Sequence, residues 1–488
     1  VKRASKFEKI AARCWNLLNE GKPFTPIFVI GTFLLYQFIA GLQLSYLGPL
    51  ILSFFIVLPL MILYFFYDFP LFLRNYLWIP VVIYLVIGGE WFNALSLIAL
   101  GLYFFFTVFF WGTFYYHLRI GTTWWNFKRF WKLVLKHSDS TSGNAQEQLP
   151  KFLLLVNVWQ FTYVTLLQGQ SLSTIWYGSF YAVVLLIAFI LHRYLFDWKP
   201  KMYDQLAVVP DIEDLPKSEK VIVVVIDGMR KERFYEARTP FLDKLKEQGT
   251  EYTNMETVYP ARTVVCFSSM FTGTYPHEHG IKSNMVWTLG IKVESIFDSL
   301  RKIGKKGRLL GIAHLVDSFG SDVDPITAVM KHDEADRKTI DGAKEIMRSE
   351  NPDLFVVQLI GTDQIGHSRG VLYDDYIEKI EEADRLVEEF VEFLQEEGYM
   401  KNTTFIVCAD HGQADGIGGH GHLDEGERFV PFIMHGPDIV KGKKVEEKRS
   451  LVSLASTIAF LLGAPFPDHA KGPVLTEAFK RKDQNEHE

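Results

Sequence analysis

Val221–Gly228 reads VIVVVIDG. Its first six residues are all β-branched and apolar, with no alternation between a wet and a dry face. Such a run predicts a strand buried on both faces in a parallel sheet, with Asp227-Gly228 marking the turn at its carboxyl end. Comparable runs recur at Arg308–Ile312, Leu354–Ile360, Thr404–Cys408 and Phe429–Met434. Helical patterns lie between them. In Tyr376–Glu397, Ile377, Ile380, Val387, Phe390, Val391 and Leu394 share one face, and Gly398 stands where a C-cap belongs. This alternation predicts an α/β domain with a mostly parallel sheet sandwiched by helices, over residues 220–475.

Upstream the composition changes. Up to about Leu195 the chain is dominated by Phe, Leu, Ile, Trp and Tyr, with apolar runs at Phe24–Leu44, Tyr46–Tyr67, Asn75–Gly89, Trp91–Tyr116, Phe152–Leu167 and Leu172–Leu191. Crossing a bilayer takes about 20 apolar residues. The expectation is a multi-span α-helical membrane domain over 1–197 with about six helices, or five if the third run does not cross. Lys and Arg cluster before the first run, between the fourth and fifth (Arg119, Lys128, Arg129, Lys132, Lys136) and after the sixth (Arg193, Lys199, Lys201). Six crossings put these clusters on one side, predicting an integral plasma-membrane protein with its C-terminal domain cytoplasmic. Trp124–His137 mixes Trp and Phe with Lys and Arg, and fits either an interfacial segment or a basic loop. Residues 198–219 read as a linker and 476–488 as a disordered tail.

The net charge of -6 argues against a nucleic-acid partner and leaves membrane lipids as the obvious one. Cys14, Cys266 and Cys408 are too few and scattered for a disulfide framework. No cleavable signal peptide is expected, and the oligomeric state is not legible in the sequence.

Ligands of open α/β sheets collect outside the carboxyl ends of the strands. There the chain supplies Asp227 in IDGMR, Asp363 and His367 in GTDQIGH, and Asp410 and His411 in ADHGQ, followed by His420 and His422 in GGHGH. Taken singly, each has an ordinary reading as a turn or surface loop. Gathered at one edge, these carboxylates and imidazoles would repel and desolvate one another unless cations sat among them. The mixture suits Zn²⁺, with Mn²⁺ second and Mg²⁺ a poorer fit. Thr263, in VYPARTVVCFSSMFTGTYPHEHG (Val258–Gly280), begins a helix-compatible segment. It reads as a helix N-cap or as an oxygen nucleophile placed against free N–H groups.

IDGMR, TPFLDKL, YPARTVVCFSSMFTGTYPHEHGI, GTDQIGH and ADHG, in that order, resemble the alkaline phosphatase superfamily and its type I phosphodiesterase and nucleotide pyrophosphatase branch. The GTDQIGH and ADHG pieces, with the later GHG, are also similar to the ethanolamine phosphate transferases of glycolipid-anchor synthesis. The resemblance implies two divalent metal ions: Asp227, Thr263, Asp410 and His411 on one, and Asp363, His367 and either His420 or His422 on the other. It makes Thr263 the nucleophile and phosphothreonine the intermediate. Where nucleotide pyrophosphatases place an Asn after the nucleophile, Cys266 is the nearest polar residue, and Arg262 and Asn284 are further candidates for substrate contact. Asn284 also suits a turn, and His277 and His279 read as structural. A sulfatase is disfavoured, because the stretch from Cys266 lacks Cys-x-Pro-x-Arg.

The leading expectation is a membrane-bound phosphodiesterase or pyrophosphatase acting on a lipid phosphate or lipid-linked head group. One alternative is a phosphoethanolamine- or phosphoglycerol-type transferase to a lipid or glycan, although the transferases it resembles work outside the cytoplasm. Another is a non-catalytic, membrane-tethered binding module.

Overall fold

The computed structural model describes residues 21–66, 78–88, 93–106, 109, 123–124, 148–169, scattered positions between 175 and 186, 202–211, 218–281, 284, 290–326, 334–414, 419–421 and 424–480. The chain divides into two compact units, one built mainly on Ala12–Tyr115 with Trp124–Lys199, the other mainly on Pro200–Glu488.

The first unit is helical: α1 (Gly21–Ile39), α2 (Leu47–Phe66), α3 (Trp78–Gly88), α4 (Ala94–Phe104) and α5 (Gln148–Leu167). Helix α5 packs against each of the other four. Its buried face carries polar groups that hydrogen-bond inward. Asn157 Nδ2 donates to Ser96 Oγ (2.9 Å), Asn93 Nδ2 donates to Asn157 Oδ1 (2.7 Å), and Trp159 Nε1 donates to Ser53 Oγ (2.9 Å). Meanwhile Phe38, Leu44 and Phe55 are 78%, 87% and 61% exposed. The interior is otherwise apolar, with Phe33, Phe152 and Trp159 among its core residues, so the unit combines a mostly apolar core with large apolar groups left exposed, an outer surface unusual in water. Among the described residues one helical stretch, Leu44–Ile62, is long and apolar enough to cross a membrane. Helices α3 and α4 have 11 residues each. The sixth apolar run and the Trp124–His137 segment lie largely outside the described residues.

The second unit holds strands β1 (Lys220–Ile226), β2 (Thr250–Tyr252), β3 (Met255–Glu256), β4 (Gly307–Ile312), β5 (Val323–Ile326), β6 (Leu354–Leu359), β7 (Thr403–Cys408), β8 (Phe429–Val430), β9 (Phe432–His435), β10 (Lys443–Val445) and β11 (Arg449–Ser450). An eight-stranded sheet runs β10-β2-β9-β7-β1-β6-β4-β5, and a three-stranded one runs β11-β3-β8. As its composition predicts, β1 is central, parallel to both β6 and β7, with Val221–Ile226 wholly buried. Ile226 pairs with Leu359, and Val225 with both Gln358 and Cys408, so three strands end nearly level.

Of the helices α6 (Thr263–Thr272), α7 (Glu334–Glu350), α8 (Gly361–Arg369) and α9 (Asp374–Glu396), α7 packs on β4 and β6, α9 packs on α7 and α8, and α6 and α8 carry site residues. Gly398, expected at the C-cap, stands one residue beyond it: Glu397 is the C-cap and Gly398 follows as the left-handed residue (φ 78°). Two expectations are corrected. The run Phe429–Met434 is not one parallel strand: Pro431, which has no N–H to give a ladder, divides it into β8 of the small sheet and β9, antiparallel to β7. The tail expected from residue 476 begins inside the fold, since Thr476–Ala478 forms a 3-10 turn and the buried Phe479 stacks on Phe460.

Candidate metal centre

The level ends of β1, β6 and β7 bring acids and imidazoles from distant parts of the chain to one edge. Asp227 follows β1 directly and Asp410 and His411 follow β7, while Asp363 and His367 stand four residues apart on α8, one turn of one helix face. The start of α8 is pinned by Asp336 of α7, whose Oδ1 accepts the N–H of Ile360 (2.8 Å) and of Gly361 (3.1 Å). Gly228 (φ +66°) lets Asp363 approach β1: a Cβ there would lie 2.8 Å from Asp363 Oδ1.

Around His411 Nε2 gather Thr263 Oγ at 3.2 Å, Asp227 Oδ1 at 3.4 Å and Asp410 Oδ2 at 3.5 Å. The His411 ring donates from Nδ1 to the carbonyl of Gly412 (2.8 Å), which leaves the Nε2 lone pair facing the cluster. A second group sits beside it. Asp363 Oδ1 is 3.3 Å from His367 Nε2 and 3.7 Å from His420 Nε2, and the two imidazole nitrogens are 3.1 Å apart. His420 donates from Nδ1 to the carbonyl of Ala261 (2.8 Å), so its Nε2 is likewise turned inward.

The donors fit divalent ions. In a tetrahedral site with metal–ligand distances near 2.0–2.1 Å, neighbouring ligand atoms lie about 3.3–3.4 Å apart, the spacing of both groups. Two carboxylate oxygens, Asp227 Oδ1 and Asp410 Oδ2, are buried without a hydrogen-bond partner and face His411 Nε2. Their companion oxygens are engaged, Asp227 Oδ2 by Gln358 Nε2 (2.7 Å) and Asp410 Oδ1 by the N–H of Gly228 (3.2 Å). Each carboxylate is thus oriented from behind, with one oxygen kept for something cationic.

The electrostatics agree. Burial pushes the Asp227 carboxyl well above the usual range, with Asp410 and Asp363 adding to it, and burial also raises Asp410. Burial alone would raise Asp363 too, yet His367, with His420 and His411, holds it below the usual range. Burial and the neighbouring His411 keep His420 well below an ordinary imidazole. Acids that resist ionising and an imidazole that resists protonation, packed together, form a site that positive ions relieve.

Thr263 opens α6, with Arg262 as its extended N-cap, and is 4% exposed. The other candidates fall around it. Asn284 Oδ1 accepts the N–H of Val264 at 2.9 Å, so the residue read as either turn or substrate contact stands at the N-terminus of the Thr263 helix. The Arg262 side chain lies against Gly421. Cys266 does not suit substrate contact: it is fully buried, its sulfur is 3.2 Å from the Thr257 hydroxyl, and burial pushes its thiol pKa up, so it is sealed inside the fold. Of the two rival histidines, His420 joins the cluster, and His422 lies outside the described residues. His279 is buried against Ser269 (2.9 Å), as a structural residue would be.

Sequence reading misses the residues behind the donors. Gln358 is the one polar residue of LFVVQL, an oddity in a fully buried strand. Gln413, directly after ADHG, donates to Asp363 Oδ1 (2.7 Å).

Comparison with known proteins comes to the same region. Residues 221–313 match the type I phosphodiesterase / nucleotide pyrophosphatase family, and residues 301–465 match the metalloenzyme superfamily. The chain is 27% identical over 222 residues to ectonucleotide pyrophosphatase/phosphodiesterase family member 1 of Mus musculus, covering 41% of this chain and 24% of that protein. It is 25% identical over 228 residues to the catalytic subunit GPI ethanolamine phosphate transferase 3 of Homo sapiens, covering 45% of this chain and 20% of that protein. It therefore spans a quarter or less of the length of these relatives. Among solved structures, murine ectonucleotide pyrophosphatase / phosphodiesterase 5 aligns with a TM-score of 0.45 and 15% identity, over 51% of this chain and 96% of that one.

Proposed function

The C-terminal half of the chain belongs to the alkaline phosphatase superfamily of phosphoester hydrolases and transferases, and from that premise we propose that it is a membrane-bound, two-metal phosphodiesterase or pyrophosphatase acting on a lipid phosphate or lipid-linked head group. The observation that carries this reading is the Thr263 hydroxyl, at a helix N-terminus and 3.2 Å from the inward-facing Nε2 of His411, the same nitrogen that two buried, half-engaged carboxylates face.

Asp227, Thr263, Asp410 and His411 would hold one ion and Asp363, His367 and His420 the other, Zn²⁺ by donor type and Mn²⁺ as the alternative. When bound, such a pair lowers the pKa of a coordinated hydroxyl and stabilises the charge that builds on the attacking and leaving oxygens. Thr263 Oγ gives up its proton to solvent and attacks phosphorus, the bond to the leaving alcohol breaks, the departing oxygen takes up a proton from water, and phosphothreonine remains. Water or a second alcohol then attacks that phosphorus and gives up a proton, the bond from phosphorus to Thr263 Oγ breaks, and the freed Oγ takes up a proton. Asn284 keeps the helix N-terminus in register with the nucleophile, and Arg262, next to Thr263 in sequence, is the candidate positive charge for a phosphate oxygen.

The large apolar groups exposed on the helical unit and the Leu44–Ile62 stretch support a membrane setting. A soluble nucleotide would have no need of it, which favours a lipid substrate. The basic clusters favour a cytoplasmic catalytic domain and six spans. The test is turnover of an aryl phosphodiester by the purified full chain, with and without chelator, beside Thr263→Ala. Activity that ignores chelation, or survives the substitution at full rate, would defeat the proposal.

The similarity to GPI ethanolamine phosphate transferase 3 favours a second reading, transfer of a phospho-alcohol to a lipid or glycan hydroxyl. A lipid substrate supplied with an acceptor alcohol separates the two readings: a transferase forms the new diester, and a hydrolase releases the phospho-alcohol into water.

A further inference from the structure

Glu427 belongs to neither donor set, yet it is fully buried and bonds to both segments that carry the centre's paired imidazoles. Its backbone carbonyl accepts the N–H of Gly412 (2.9 Å), the residue whose own carbonyl accepts from His411 Nδ1. Its side-chain Oε2 accepts the N–H of Gly421 (2.9 Å), the residue after His420. The fit is close, since a Cβ on Gly412 would collide with the carbonyl of Gly426. The rings of His411 and His420 stack with centroids 3.9 Å apart and planes at 19°, although they serve different donor sets.

A buried carboxylate is costly unless its oxygens take up donors, and here one of them holds a backbone N–H in the segment that presents His420. Resting on the two-ion reading above, the geometry assigns Glu427 a positioning role: its carboxylate fixes the His420 arm of the second donor set against the His411 arm of the first. Its two links are chemically different. The bond to Gly412 is main-chain and survives any side-chain substitution, whereas the bond to Gly421 is the carboxylate's alone. Substitution at 427 therefore strikes the second ion and spares the first.

The experiment is competitive Zn²⁺ titration of the full chain stripped of metal, against a chromophoric chelator. Wild type takes up two ions; a wild type that takes up fewer overturns the two-ion premise, and this is read before any variant. In Glu427→Leu the first ion binds as in wild type and the second about 10- to 100-fold more weakly, the usual loss when an outer partner of a ligand is removed. Glu427→Gln, which keeps an acceptor oxygen, restores the second ion. Glu427→Asp, which keeps the charge and shortens the reach, does not. Thermal unfolding in chelator shows which variants fold, and the Asp and Gln variants decide the matter if Leu does not. Wild-type binding of the second ion by both Leu and Asp variants overturns the assignment. So does equal weakening of both ions in a variant that melts like wild type.

Discussion

Gln358 donates from Nε2 to Asp227 Oδ2 at 2.7 Å, and the other oxygen of the same carboxylate, Oδ1, stands 3.4 Å from His411 Nε2. The amide sits inside β6, level with Val225 of β1, and its Oε1 accepts the N–H of Ile312 (2.9 Å). A polar side chain buried in an apolar strand is tolerated because both ends of its amide are bonded. Gln358→Leu removes the donor that orients Asp227. It should weaken the ion held by Asp227, Asp410 and His411 about 10- to 100-fold in a competitive metal titration. Unchanged affinity would show that Asp227 is oriented without it.

Thr263→Ala should lower turnover of an aryl phosphodiester by about a thousandfold or more, because the bond-forming oxygen is gone. Thr263→Ser keeps that oxygen and should retain much of the rate. Melting temperature should be close to wild type in both, which separates lost chemistry from lost folding. An alanine variant turning over within about tenfold of wild type would remove Thr263 from the reaction.

Metal uptake should release protons. Burial raises the Asp227 carboxyl well above its ordinary value and raises Asp410 as well, so in the metal-free protein these acids take up protons at a higher pH than free carboxyls would, and a cation competes with those protons. Affinity for Zn²⁺ should therefore fall as pH is lowered, by up to about tenfold per unit for each proton displaced. Calorimetric heats in buffers of different ionisation enthalpy should report the release. A pH-independent affinity would mean the acids are already ionised.

His279 gives a stability signature away from the metal centre. Burial pushes its imidazole pKa from 6.5 down to about 3. Between those values the unfolded chain carries a proton that the folded chain refuses, so stability is lost as pH falls below about 6.5, by at most about 1.4 kcal/mol per unit. His279→Gln, still able to bond Ser269, should flatten that slope relative to wild type in denaturant melts. Parallel slopes would contradict the buried neutral ring.

The sequence carries the sheet and most of the donors for one reason. Strands such as Val221–Ile226 are buried on both faces, so their apolar runs stand out, and the donors follow those runs within a few residues. Residues whose role depends on contacts far along the chain do not stand out in this way. Gln358 reaches Asp227 across 131 positions and Gln413 reaches Asp363 across 50, and no local pattern encodes either pairing. Asn284 reads locally as a turn because its partner is the Val264 N–H, 20 residues away. Cys266 misleads because, one helical turn after Thr263, it looks placed for substrate, while Thr257 and the surrounding core enclose it. Pro431 was the available signal that Phe429–Met434 is divided between two sheets.

Anomalous scattering at the zinc edge from Zn²⁺-loaded crystals tests the central claim most directly. The account predicts two peaks, one about 2.0–2.3 Å from Asp227, Thr263, Asp410 and His411, the other at the same distance from Asp363, His367 and His420. A single peak, or peaks away from these side chains, would contradict it.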